Sequence, residues 1–146
     1  MPASSRHASH STDGLLARRL ALLALFEDEF RPGTAAGALD RLAEERGVGD
    51  AVREHAERIV VGVNEHRSAL DARIAAEAPL IPVAELGRVE RTILRSALYE
   101  VLYSAATPSG TMRDAVSLAR IYAGDAARRL VNGVLGSVSR SSGGGA

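Results

Sequence analysis

The stretch "RRLVNGVLGSV", residues 128–138, decides the fold. Leu130, Val131, Val134, Leu135 and Val138 recur at the spacing of one helix face. Yet the run is centred on Asn132-Gly133, and Asn-Gly is the strongest short turn signal. A hairpin here would have the arms "RRLV" and "VLGSV", too short to pair stably alone. The apolar stripe passes through the pair unbroken, so the segment reads as a helix. Gly inside a helix costs about 0.5–1 kcal/mol relative to Ala, which calls for an offset. The simplest offset is another helix backbone passing close at Gly133, with Asn132 hydrogen-bonding across the seam. The plainer alternative is an exposed Asn132 and a tolerated Gly133. Gly62, in "VVGV", is a second candidate for close approach.

Working outward, the same period recurs along the chain. Residues 1–12 are rich in Ser, His and Ala without periodicity and read as a disordered tail. Thr12 or Asp13 can cap a helix over "LLARRLALLALFEDEF", with Leu16, Leu20, Leu23 and Phe26 or Glu27 on one face. "RPGT" ends it. "AAGALDRLAEER" forms a second helix that stops at Gly47, and Asp50 caps a third. Val52, Ala56, Ile59 and Val63 form its stripe, which resumes at Leu70 and Ile74 after a possible break. Pro79 and Pro82 interrupt the chain. "VAELGRVERTILRSALYEVLYSA" is a long helix from Val83, striped by Leu86, Val89 or Glu90, Ile93, Ala97 and Val101 and widened by Leu94, Leu98 and Leu102. "TPSGT" reads as a loop, Met112 to Tyr122 as a further helix, and the segment from Asp125 as the last. Residues 141–146 read as a flexible tail. No segment alternates with period two over strand length. The expectation is all-α: six to seven helices in one domain over residues 13–140.

Composition supports this class. Only five aromatics occur in 146 residues, and a core of Ala, Leu, Val and Ile suits close-packed helices. Cys is absent, which excludes disulfides and thiolate zinc sites. No apolar run approaches the ~20 residues that span a bilayer, and the N-terminus lacks the apolar core of a secretory signal, so a cytoplasmic location is expected. All 18 basic residues are Arg, which with the abundant Ala reads as coding bias rather than guanidinium chemistry.

Net charge is zero but unevenly placed. Residues 1–26 carry three Arg against one Asp; residues 27–85 carry seven Arg against thirteen acids; residues 86–146 carry eight Arg against four acids. Basic ends that meet in space would make the footprint a polyanion needs. Ends that do not meet are solvated surface.

Catalytic chemistry finds little purchase. His7 and His10 lie in the tail, where a metal would lack a rigid frame. His55 and His66, with Glu54 and Glu65 beside them, could be imagined as a bundle metal site, but no Glu-x-x-His pair accompanies them. There is no G-x-S-x-G elbow and no Walker or Rossmann loop. "SGTM" offers only helix-start N–H groups, as many helices do. Glu54–Arg58, and Glu90 with Arg91 and Arg95, read as solvated pairs. A non-enzymatic protein without a cofactor is expected.

Four stretches together resemble the NusB transcription antitermination family. "ELGRVERTILRSALYEVL" (85–102) is similar to that family's central C-terminal-half helix. "MRDAVSLARIYAGDAARRLVNGVLGSV" (112–138) resembles its N-E-A-x-x-L-A-K-x-[FY] helix followed by K-F-V-N-G-V-L. "LLARRLALLALF" looks like its Arg-rich first helix, and "VVGVNEHRSALDARI" like its G-V-x-x-x-x-x-x-L-D-x-x-I segment. The resemblance covers roughly residues 15–138. It implies an all-α fold of two packed halves. It also implies binding of boxA-type single-stranded RNA together with NusE, a small-subunit ribosomal protein. The resulting complex with RNA polymerase supports ribosomal RNA transcription.

By this resemblance Arg6, Arg18, Arg19, Arg128 and Arg129 lie at the RNA side, with Phe26 and Tyr122 as candidate stacking groups or as core. The NusE side falls on Glu85, Glu90 and Arg91. Glu90 is either a solvated partner of Arg91 or Arg95 or left for a basic partner. This chain also departs from the family pattern. Its N-terminal Arg run is thin, Phe26 replaces a Tyr, Leu130 replaces the Phe of K-F-V-N-G, and Arg113 replaces the Asn of N-E-A. The alternative is therefore a NusB-like paralogue, a helical protein-interaction module without specific RNA binding.

Overall fold

The computed structural model describes the backbone of residues 2–143 and the side chains of residues 12–141. The side chain of Arg6 lies outside that range, and the backbone is helical from Pro2, so Thr12 and Asp13 lie inside the first helix and do not cap it. Six α-helices follow one another among the described residues, with no strand: α1 (Pro2–Phe30), α2 (Ala35–Arg46), α3 (Asp50–Glu77), α4 (Arg88–Tyr103), α5 (Pro108–Ala123) and α6 (Asp125–Gly143). The chain divides between Val61 and Gly62, within α3, into two compact units.

In the first unit α1 packs on α2. The segment 15–26 of α1 is almost wholly apolar, so periodicity alone selects no face. The buried apolar residues are Ala17, Leu20, Ala21, Leu22, Ala24 and Leu25, leaving the expected Leu16, Leu23 and Phe26 half-buried. Asp28 is buried with them and organises the turn after it. Its Oδ1 accepts N–H groups from Gly33, Thr34 and Ala35 at 2.9, 3.0 and 3.2 Å. These include donors at the start of α2 that a helix cannot satisfy internally. Gly47, at φ 60°, ends α2 as expected: its N–H reaches the Glu44 carbonyl and that of Val48 the Ala43 carbonyl, both at 3.2 Å. Val52, Ala56 and Ile59 of α3 are buried as the stripe requires.

The expected break in α3 falls at His66, whose φ and ψ (−110° and 15°) leave the helical region. Its ring stacks on Tyr103 of α4 with centroids 4.0 Å apart and planes 13° apart, an aromatic contact rather than a metal-ligand posture. One turn earlier Gly62 lies buried under Tyr99, and a Cβ there would sit 2.0 Å from the ring. The crowding expected of a helical glycine is therefore found at Gly62, but it comes from a side-chain ring and not from the helix backbone expected to pass close. Gly133 and Asn132 are both exposed on α6, and nothing stands within 4 Å of where a Gly133 Cβ would be. The helix reading of "LVNGVL" (130–135) holds in α6, but the expected seam at Gly133 does not: the buried stripe Val131, Val134, Leu135 and Val138 turns the pair outward.

Within the second unit α4, α5 and α6 pack against one another. Two starts differ from expectation. The helix placed from Val83 is a 3-10 turn, Val83–Glu85, followed by an extended Leu86 and Gly87, and α4 begins only at Arg88. Burying Leu86 requires the chain to turn there. The "TPSGT" loop is shorter than expected, because Pro108, with its φ preset and no N–H to lose, opens α5. Arg95 is not a solvated partner of Glu90. It is buried on α4 and grips Asp71 of α3 with Nε–Oδ1 and Nη2–Oδ2 contacts of 2.7 and 2.8 Å. At the end of α3, Glu77 accepts hydrogen bonds from Ser137 of α6 and from Arg73 (3.0 Å), which together hold its carboxyl below the usual value.

Candidate functional site

The basic residues of the sequence fall into two groups. Arg18 and Arg19 lie side by side on α1 in the first unit, beside the buried Ala17 and Leu20. Both are half-buried, so their aliphatic stems cover apolar surface at the edge of the core face. Phe26, two turns beyond Arg19 on α1, packs edge-on against Phe30, with ring centroids 5.1 Å apart and planes at 73°. It is therefore half engaged as packing, while Phe30 is the more exposed of the two.

The second group lies where α5 ends and α6 begins. Tyr122, 39% exposed, closes α5 beside an exposed Ile121. Gly124, at φ 94°, lets the chain reverse into α6. Asp125 then stands in the first turn of α6, where a carboxylate suits the helix dipole. Arg128 and Arg129, three and four residues on, both return to it: Arg128 Nε donates to Oδ1 at 2.8 Å and Arg129 Nη1 to Oδ2 at 2.5 Å. The Arg128 hydrogen bond is the main cause that holds the Asp125 carboxyl below its ordinary value. Arg128 is correspondingly raised by Asp125. Both guanidinium groups are thus fixed in place yet accessible, the Arg129 side chain 66% exposed. Asp125 escaped the sequence reading, although the D-x-x-R-R spacing is itself the signal for such a clasp. Leu130, where the resemblance has Phe, is half-buried.

Glu85, Glu90 and Arg91 cluster around the start of α4. Glu85 is exposed in the 3-10 turn, and Glu90 and Arg91 are half-buried in the first turn of α4. The Glu90 carboxylate folds back over Gly87, where a Cβ would meet Oε2 at 2.3 Å. Gly at that position leaves room for a negative group at a helix N-terminus. Neither Glu90 nor Glu54 forms an ion pair among the described residues, so both expected solvated pairs are absent. Among the described residues no three His, Asp or Glu side chains gather as a metal site, and no helix is long and apolar enough to cross a membrane.

Comparison with known proteins shows the family. The profile of the NusB family matches residues 15–140. A transcription antitermination protein NusB from Symbiobacterium thermophilum is 40% identical over 133 residues, covering 85% of this chain and 87% of that one. One from Dehalococcoides mccartyi is 32% identical over 126 residues, 86% of this chain and 88% of its own. Among solved structures, T. maritima NusB superposes with a TM-score of 0.80 at 27% identity, covering 87% of this chain and 90% of that one. A structure of antitermination factors NusB and NusE in complex with dsRNA gives a TM-score of 0.80 at 26% identity, over 90% of this chain and 98% of that one.

Proposed function

From the premise that this chain belongs to the NusB family, we propose that it is a transcription antitermination factor that holds boxA-type single-stranded RNA together with NusE. It acts within the RNA polymerase antitermination complex during ribosomal RNA transcription. The observation that carries this reading is the likeness, over nine-tenths of the chain, to a NusB structure bound to NusE and RNA. Its role is binding rather than catalysis, it needs no cofactor, and its place is the cytoplasm with the polymerase.

The residues divide the work by chemistry. Arg18 and Arg19 on α1, and Arg128 and Arg129 on α6, supply guanidinium groups to phosphates. Tyr122 offers an exposed ring to a base, and Arg6 adds charge from the N-terminal segment. Phe26 serves mainly to pack against Phe30, at the margin of the RNA side. Glu85, Glu90 and Arg91 face NusE. Glu90, half-buried and with no ion pair among the described residues, keeps its charge for a basic partner.

Glu90→Arg tests this assignment. It breaks no ion pair among the described residues, so the melting temperature should move by only a few degrees, from the lost helix-start charge worth about 0.3–1 kcal/mol. Calorimetric titration with NusE should show binding weakened by about 2 kcal/mol or more, through a like-charge contact. Full NusE affinity in the variant would remove this helix start from the interface and favour a different partner.

A further inference from the structure

α5 and α6 enclose a groove of about 390 Å³ lined by Met112, Arg113, Val116, Ser117, Arg120, Arg128 and Asn132. Three guanidinium groups border it and no carboxylate lines it. The nearest acids are already engaged. Asp114 is buried with Arg113 Nε at 3.4 Å, and Asp125 is clasped by Arg128 and Arg129. Arg120, exposed on α5, lies outside ion-pair distance of Asp125, but its charge adds to those of Arg128 and Arg129 in lowering that carboxyl. The spacing explains the alignment: Arg113, Ser117 and Arg120 fall on one face of α5, and Arg128 and Asn132 face them one turn apart on α6. Met112 and Val116 add apolar surface to its lining.

This combination suits a nucleotide better than a bare anion. The volume exceeds that of one phosphate, the apolar part of the lining suits a base or sugar, three arginines supply cations, and Ser117 and the Asn132 amide can hydrogen-bond base edges. It also gives the exposed Asn132-Gly133 pair a use, since Asn132 is part of the groove and Gly133 leaves the adjoining surface low.

We infer that the α5–α6 groove seats a nucleotide of the bound RNA strand, with Arg113 and Arg120 as phosphate ligands in addition to Arg128. This rests on the RNA-binding reading above and extends it to residues that reading did not include. Arg113 stands where the family pattern has Asn, so the groove compensates in this chain for the thin N-terminal Arg run.

The test is a fluorescence-anisotropy titration of a labelled boxA single strand with the full chain and NusE, across a salt series. Arg120→Ala, which breaks no ion pair, and the double variant Arg113→Ala/Arg120→Ala are compared with wild type, each with a melting curve. Each lost phosphate contact should reduce the salt slope by about 0.7, so the double variant should bind roughly tenfold or more weakly near 0.1 M salt. Arg120→Lys should restore most of the slope. Variants that bind with the wild-type affinity and slope overturn the groove while leaving the RNA reading intact. A wild-type chain that fails to bind the strand overturns both. Variants that lose NusE but keep RNA would make the groove a surface for an acidic protein segment, and would also overturn the proposal.

Discussion

At the scale of single residues, the sharpest consequence comes from Asp125. One exposed carboxylate holds Arg128 and Arg129 and is itself kept ionised by them. For the RNA it is both an aid and a competitor: it orders two long side chains, and it places a negative charge beside the phosphates they would bind. Exposed pairs of this kind contribute little to stability, so ordering is the smaller effect. Asp125→Asn should therefore raise boxA RNA affinity about two- to fivefold at low salt, with the gain fading as salt rises. The melting temperature should fall only slightly, through loss of the favourable charge at the start of α6. An affinity that drops or stays level would place Arg128 and Arg129 outside the path of the RNA.

At the scale of helices, two glycines with the same sequence appearance have opposite roles. Gly62 in α3 is covered by the Tyr99 ring of α4, so Gly62→Ala forces the ring or the helix to move and should destabilise by roughly 1–3 kcal/mol. Gly133 in α6 is exposed with open space at its Cβ position, so Gly133→Ala should stabilise by about 0.5–1 kcal/mol through helix propensity alone. Chemical denaturation of both variants checks the pair, and equal effects of one sign would refute the packing described for α3 and α4. The contrast shows what the sequence could and could not convey. The stripe through residues 130–138 is enough to reject a hairpin. Which glycine meets another helix depends on where Tyr99 falls, a contact 37 positions away in the chain that no local pattern encodes. The same holds for Arg95, whose local neighbour Glu90 looked like its partner while Asp71, 24 residues away, is the actual one. The starts of α4 and α5 differ from the apolar period because burial of Leu86 and the preset φ of Pro108 outweigh it. In α1 the apolar run was so complete that its face could be read only from burial.

At the scale of the molecule, the family and the all-α class were legible in the V-N-G-V-L and E-R-x-x-L-R-x-A-x-Y-E stretches, because these combine core positions with unusual residues at fixed spacing. The site was legible only in part. Tyr122 lies near the end of α5 and Arg128 and Arg129 near the start of α6, while Arg113 and Arg120 join a groove through the facing of two helices, which composition does not reveal. Phe26 turned out to be engaged by Phe30. The central claim is that this chain, with NusE, binds a boxA single strand through its arginines. It is tested most directly by titrating that strand, beside a scrambled strand of equal length, with wild type and with Arg18→Ala/Arg19→Ala across a salt series. The account predicts preference for boxA in the presence of NusE, affinity that falls steeply with salt, and a slope lower by about 1.4 in the double variant. Equal binding of both strands by wild type, or an unchanged affinity and slope in the variant, would contradict it.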